Sequence, residues 1–127
     1  MRRAKTLAWL TLSSALVAAR PIAAEEAPLS GKQLYQQYCA SCHGLDGRAG
    51  TRLAKLFERQ PPDLTRIAVR RGGWFPEVLV KEIVDGRFAA HGDRQMPVWG
   101  EILSSDQVML ITEHLYRIQD DLKSAAP

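Results

Sequence analysis

The chain has 127 residues, 46% of them hydrophobic, with 17 Lys and Arg against 14 Asp and Glu and only two cysteines. That length suffices for one domain and is short for two. The basic excess does not argue for nucleic-acid binding, because it comes from the N-terminal stretch and not from a basic face.

Met1-Arg2-Arg3-Ala4-Lys5 is a basic n-region, Leu7 to Ala19 is a mostly apolar h-region, and Pro21-Ile22-Ala23-Ala24 ends in small residues. This pattern predicts a Sec-type signal peptide over residues 1–24, cleaved after Ala24. Thr11, Ser13 and Ser14 interrupt an apolar run that is already short for a membrane span. An uncleaved N-terminal anchor is the rival reading. No cysteine directly follows the h-region, so lipid anchoring is not indicated. Arg2, Arg3, Lys5 and Arg20 leave with the signal, so the mature chain keeps 13 basic and 14 acidic residues, a balance of −1.

Glu25 to Leu29 reads as an unstructured lead. Ser30 with Gln33 three residues on forms a capping box, opening a helix from Gly31 to about His43. Leu34, Tyr38 and Cys42 share one face of it, with Tyr35 and Cys39 on the adjoining row. Gly44 is placed to end it. At its last turn stands Cys39-Ala40-Ser41-Cys42-His43, the arrangement needed for covalent c-type haem attachment. Each thiol can add across one haem vinyl group, and His43 then lies under the iron. A thioredoxin-like pair would open a helix after a strand, and none is predicted there. A structural zinc site wants four protein ligands, and there is no third cysteine.

The run Gly31-Lys32-Gln33-Leu34-Tyr35-Gln36-Gln37-Tyr38-Cys39-Ala40-Ser41-Cys42-His43 resembles the N-terminal helix of class I c-type cytochromes. That family shows a glycine, an aromatic four residues on, and the first cysteine four after that. Gly31, Tyr35 and Cys39 match. The resemblance implies that Gly31 lets a C-terminal helix cross closely, with Tyr35 packed at the crossing.

Leu45 to Gly50 is rich in turn residues. A short helix is predicted over Thr51 to Arg59, with Leu53, Leu56 and Phe57 facing inward, stopped by Gln60-Pro61-Pro62-Asp63. By the same resemblance, the carbonyl of Pro61 or Pro62 would accept the remaining N–H of His43; a plain turn role is the alternative. Asp63 or Thr65 then caps a short helix carrying Leu64, Ile67 and Ala68. Gly72-Gly73 breaks the chain, and Trp74 and Phe75 are expected in the haem-pocket wall. Pro76 opens a helix to about Val84, with Val78, Leu79, Val80 and Ile83 inward, closed by Asp85-Gly86-Arg87.

Phe88 to Gly100 has no helical period and contains Met96-Pro97. This resembles the distal-ligand segment of class I cytochromes, which implies Met96 as the second iron ligand. A gap-filling methionine is the plain alternative. His91, on the same loop, is the serious rival and would give bis-histidine ligation. Met109 is expected in core or at the surface, and His114 at the helix crossing. A second capping box, Ser104 with Gln107, opens the last helix, whose stripe is Val108, Ile111, Leu115, Ile118 and Leu122.

The expectation is therefore an all-α, small cytochrome c fold: N- and C-terminal helices crossing, and 3–5 helices around one covalently bound haem c. The domain would span residues 25–127. Its cofactor-binding residues would be Cys39 and Cys42, and its iron ligands His43 and Met96. The expected function is a periplasmic, monomeric one-electron carrier rather than an enzyme, serving reductase and oxidase partners and no nucleic acid. Two alternatives remain. One is an electron-entry subunit associated with a larger membrane oxidase or dehydrogenase; the other is a haem enzyme or gas sensor with an open sixth position. Ten basic and six acidic residues fall between Arg48 and Arg94, against two and five from Gln95 onward. The basic half would steer acidic partners if it flanks the haem edge, and would be an ordinary solvated surface otherwise.

Overall fold

Ser30 and Gln33 form the expected capping box. The Gln33 N–H donates to the Ser30 hydroxyl at 3.3 Å, and the Ser30 N–H donates to the Gln33 side chain at 2.9 Å. In the computed structural model, which describes residues 27–88, 94–120 and 122, this starts α1 (Gly31–Tyr38). Cys39 interrupts the helix at φ −112°, ψ −35°, and the motif continues as α2 (Ala40–His43). The N–H of Cys39 still reaches Tyr35 O, and that of His43 reaches Cys39 O, each at 2.9 Å, so the break changes direction without releasing the backbone. Gly44, at φ 80°, ends the segment. Further on come α3 (Glu77–Asp85) and α4 (Ser105–Arg117), joined by 3-10 turns at Ala54–Leu56, Leu64–Arg66, Val69–Arg71 and Trp99–Glu101. Every one of these elements is helical, as expected. The proposed signal segment 1–24 lies outside the described residues. Within them, no helix is long and apolar enough to cross a membrane.

The centre of the fold is the packing of α1 on α4. Leu34 and Tyr35 from α1 and Val108 and Ile111 from α4 are fully buried there. A Cβ built on Gly31 would overlap the carbonyl oxygen of Leu110. Glycine is therefore required at this position by the close approach of two backbones. One turn further along, the Tyr35 ring meets His114 with centroids 5.1 Å apart and planes tilted by 50°. The crossing is as expected, with an imidazole as the partner ring.

α3 packs on the other flank of α4. Val80 and Val84 are buried, whereas Val78, expected inward, is 72% exposed. The helix starts one residue later than expected, and Val80 and Val84, four residues apart, define its buried face; Val78 lies on the opposite side, about 200° round from Val80. The predicted helix over 51–59 shortens to Ala54–Leu56. There Ala54 is the buried residue, and Leu53 and Leu56 face solvent. The Thr51 hydroxyl caps this turn by accepting the Ala54 N–H at 2.9 Å, and the chain leaves it at Phe57, which is extended at φ −83°, ψ 140°. Trp74 is exposed, and Phe75 packs edge-on against Tyr116 at 5.5 Å, so neither forms the wall expected of them.

Gln119, beyond the end of α4, is fully buried. Its side chain accepts from the Ala68 N–H at 2.9 Å and donates to the carbonyls of Leu64 and Leu115, each at 2.7 Å. Asp63 caps the Leu64–Arg66 turn by accepting from the Thr65 N–H at 2.9 Å. Outside this, Arg48 forks onto Asp120 at 2.6 and 3.1 Å, tying the loop after the haem motif to the C-terminal segment.

Gly31→Ala should destabilise the haem-loaded protein by about 3 kcal/mol, the upper end of overpacking costs, since the obstacle is a backbone carbonyl that cannot rotate away. Denaturant unfolding measures this. A midpoint matching the wild type would mean the helices separate freely and the crossing is not constrained at this point.

Candidate functional site: a haem cavity

The helices and turns enclose a cavity of about 830 Å³, within the size range of cofactor sites. Tyr35 and Tyr38 of α1 line it, as do Ile111 and Leu115 of α4 and Leu79, Val80, Ile83 and Val84 of α3. Cys39, Cys42 and His43 open onto it from the motif. Pro61, Pro62, Leu64 and Ile67 come from the middle turns, and Met96, Pro97 and Trp99 from the loop before α4. Four exposed arginines, Arg59, Arg70, Arg71 and Arg94, also line it. Glu58 is the acidic residue among the described lining.

The motif residues are held through their carbonyls. α2 is a single turn, so its last carbonyls find no partner in a following helix. The Cys42 carbonyl accepts from the Thr51 hydroxyl at 3.4 Å, and that of His43 from the Ala49 N–H at 2.8 Å. The Gly44 carbonyl accepts from the Tyr35 hydroxyl at 2.7 Å and from the Gly47 N–H at 3.2 Å. Burial, with smaller effects from Cys39 and Asp46, holds the Tyr35 phenol well above its ordinary pKa, so it remains a donor.

Cys39 and Cys42 are both free thiols. Burial, aided by the neighbouring Cys42, pushes the Cys39 thiol up to about 12. A disulfide-exchange cysteine needs the opposite shift, toward thiolate at neutral pH. Among the described residues, no three His, Cys, Asp or Glu side chains gather as a metal site.

Burial also lowers the pKa of His43, with the Pro62 carbonyl opposing. The ring is thus biased toward the neutral form, the one that can ligate a metal. Its Nδ1 is buried with no hydrogen-bond partner. Of the two prolines considered, Pro62 is the one whose carbonyl approaches this ring, without completing a bond to Nδ1. Met96, half-buried, lines the same cavity as His43 and the two thiols. His114 is engaged at the helix crossing and Met109 is 46% exposed; neither lines the cavity. His91 lies outside the described residues.

The family described as "Cytochrome C oxidase, cbb3-type, subunit III" matches residues 26–115. The chain belongs to this family of c-type cytochromes. A solved structure titled "KustC0563 c-type cytochrome" has the same fold, with a TM-score of 0.56 at 18% identity. It covers 72% of this chain and 100% of its own. No curated protein matches the sequence.

A c-type cytochrome domain implies covalently bound haem c and electron transfer through it. The residues present fit that group. A broad cavity with apolar walls accepts a flat apolar macrocycle, two unpaired thiols adjoin it, and the His43 imidazole opens onto it. Arginines among the lining residues suit carboxylates. Sequence reasoning did not find Gln119, Thr51 or Ala49, which fix the turns around the cavity. Ala49 is the one non-glycine residue at positive φ among those described, at 61°.

Tyr35→Phe should destabilise the haem-loaded protein by about 1 kcal/mol, the low end for breaking a buried hydrogen bond, since Gly47 still serves the Gly44 carbonyl. Chemical denaturation provides the measurement, and an unchanged midpoint would show that the hydroxyl contributes nothing there.

Proposed function

We propose that this cytochrome is an exported one-electron carrier with a single haem c. Cys39 and Cys42 would form the thioethers, and His43 and Met96 would ligate the iron. The observation that supports this best is that His43, Met96 and both cysteines line one cavity. When bound, the haem supplies a one-electron ferric/ferrous couple.

The chain's own residues set the conditions for that couple. Burial biases the His43 imidazole toward its neutral form. The Met96 thioether favours the ferrous state and raises the potential. Apolar side chains of α3 and α4 keep water from the cavity and disfavour the extra charge of the ferric form. With His43 and Met96 both supplying ligands, little would have to move between oxidation states. Export with cleavage near Ala24, to a bacterial periplasm, is the accompanying proposal for residues 1–24.

A second reading is favoured by the family description, which names a subunit of a cytochrome oxidase. In that reading the chain passes electrons into a larger membrane complex, and residues 1–24 are retained as an anchor. The mass of the native protein separates the two, since a free carrier lacks residues 1–24.

The optical spectrum of the haem-loaded protein should show the weak far-red band of ferric His–Met haem, and Met96→Ala should abolish it. A low-spin spectrum without that band in the wild type would bring His91 forward as the ligand. A high-spin spectrum, with rapid carbon monoxide binding to the ferrous form, would support a haem enzyme or gas sensor.

The exposed arginines at the cavity would draw acidic surfaces of reductases or oxidases toward it. Electron-transfer rate with an acidic redox partner should then fall several-fold between about 0.01 and 0.15 M ionic strength, as the screening length contracts. A flat response would leave the arginines without a steering role.

A further inference from the structure

The segment carrying Met96 leaves α3 at Gly86 and returns to regular structure at the Trp99–Glu101 turn. The two ends of this segment meet. Asp85, the last residue of α3, is only 3% exposed although it is a carboxylate. The Arg87 guanidinium engages both its oxygens, Nε to Oδ1 at 2.7 Å and Nη2 to Oδ2 at 2.8 Å, and the Arg87 backbone N–H adds a bond to Oδ1 at 3.2 Å. Gly86, left-handed at φ 76°, allows two residues so close in sequence to fold back on each other.

A pair this local joins nothing unless something distant packs on it. Gly100 does so: it is buried, and a Cβ there would overlap the Asp85 carboxylate and crowd Arg87 Nε. Glu101 adds a favourable interaction with the Arg87 charge from the same far end. Next to Gly100, Trp99 lines the cavity with its ring edge-on to Tyr38 at 5.5 Å. Met96 lies three residues before Trp99.

We propose that the Asp85–Arg87 pair and Gly100 form a clamp at the base of this segment, which holds the Met96 thioether in the cavity and opposes its displacement by outside ligands. The inference rests on the reading of Met96 as the sixth ligand. Asp85, Arg87 and Gly100 are outside the described cavity lining and act as positioning residues. A thioether is a weak, neutral ligand, so its hold depends on effective concentration, which the closed base of the segment keeps high. Loosening the base lets Met96 sample positions away from the cavity, and a competing ligand gains by that fraction.

The test is an imidazole titration of the ferric, haem-loaded protein, followed by loss of the far-red band. Asp85→Asn removes the charge that Arg87 grips while keeping the shape, and Gly100→Ala wedges the base open. Both should reach half-displacement at an imidazole concentration lower by on the order of tenfold. Thr112→Val is the control. It removes a buried hydrogen bond to the Val108 carbonyl, 2.9 Å long, elsewhere on α4, and so lowers stability without touching the clamp. It should titrate like the wild type. Should Asp85→Asn fail to load haem, Arg87→Lys replaces it, keeping the charge and losing the fork. Wild-type imidazole affinity in the clamp variants, or an equal gain in Thr112→Val, would overturn the clamp while leaving Met96 as the ligand. Absence of the far-red band in the wild type would overturn both.

Discussion

The structure depends on one close approach, the backbone of α1 at Gly31 against the Leu110 carbonyl of α4. Two helices can come this near only where one has no side chain. That contact brings Tyr35 against His114 and places the Tyr35 hydroxyl where it reaches the Gly44 carbonyl. It also fixes α4 so that Ile111 and Leu115 face the cavity. The motif cysteines and His43 follow α1 directly, so their position relative to α4 is inherited from the crossing.

Between the crossing and the cavity, the chain is mostly short 3-10 turns, and these cannot satisfy their own backbone groups. The fold answers this with side chains from distant segments. Gln119 serves the backbone of Ala68 and Leu64 from beyond α4, and the side-chain pair Arg48–Asp120 ties the loop after the motif to the C-terminal segment. Thr65 bridges Asp63 and Asp120 with one hydroxyl, at 2.6 and 3.2 Å. Burying Gln119 without these partners would cost more than leaving it in water, so the hydrogen bonds account for its place in the core.

The parts of this arrangement that follow from local chemistry could be read from the chain. The capping boxes at Ser30 and Ser104 are four-residue patterns, and both formed. Gly31, Tyr35 and Cys39 sit at spacings that resemble a family, and the crossing formed as that resemblance implied. What could not be read depends on contacts across the fold. Leu53 and Leu56 have a helical spacing, but the segment turns extended at Phe57 after one turn, and both face solvent. Trp74 and Phe75 are large and apolar, which predicts burial without saying against what; Phe75 found Tyr116 and Trp74 stayed exposed. Gln119 gave no signal beyond its place between Ile118 and Leu122, because its partners lie far away in sequence.

The two proposed axial ligands are held in different ways, and the difference bears on function. His43 stands on a helical turn whose carbonyls are bonded by Thr51, Ala49 and Tyr35, with the crossing behind it. Met96 stands on irregular chain whose last anchor before α4 is the turn beginning at Trp99. Replacing the imidazole would require the core to rearrange. Replacing the thioether would shift irregular chain and not a core helix, a smaller change. On the proposed ligation, the sixth position would be the more adjustable one. A carrier and a ligand-binding haem protein could share every helix described and differ only in how firmly that loop is closed.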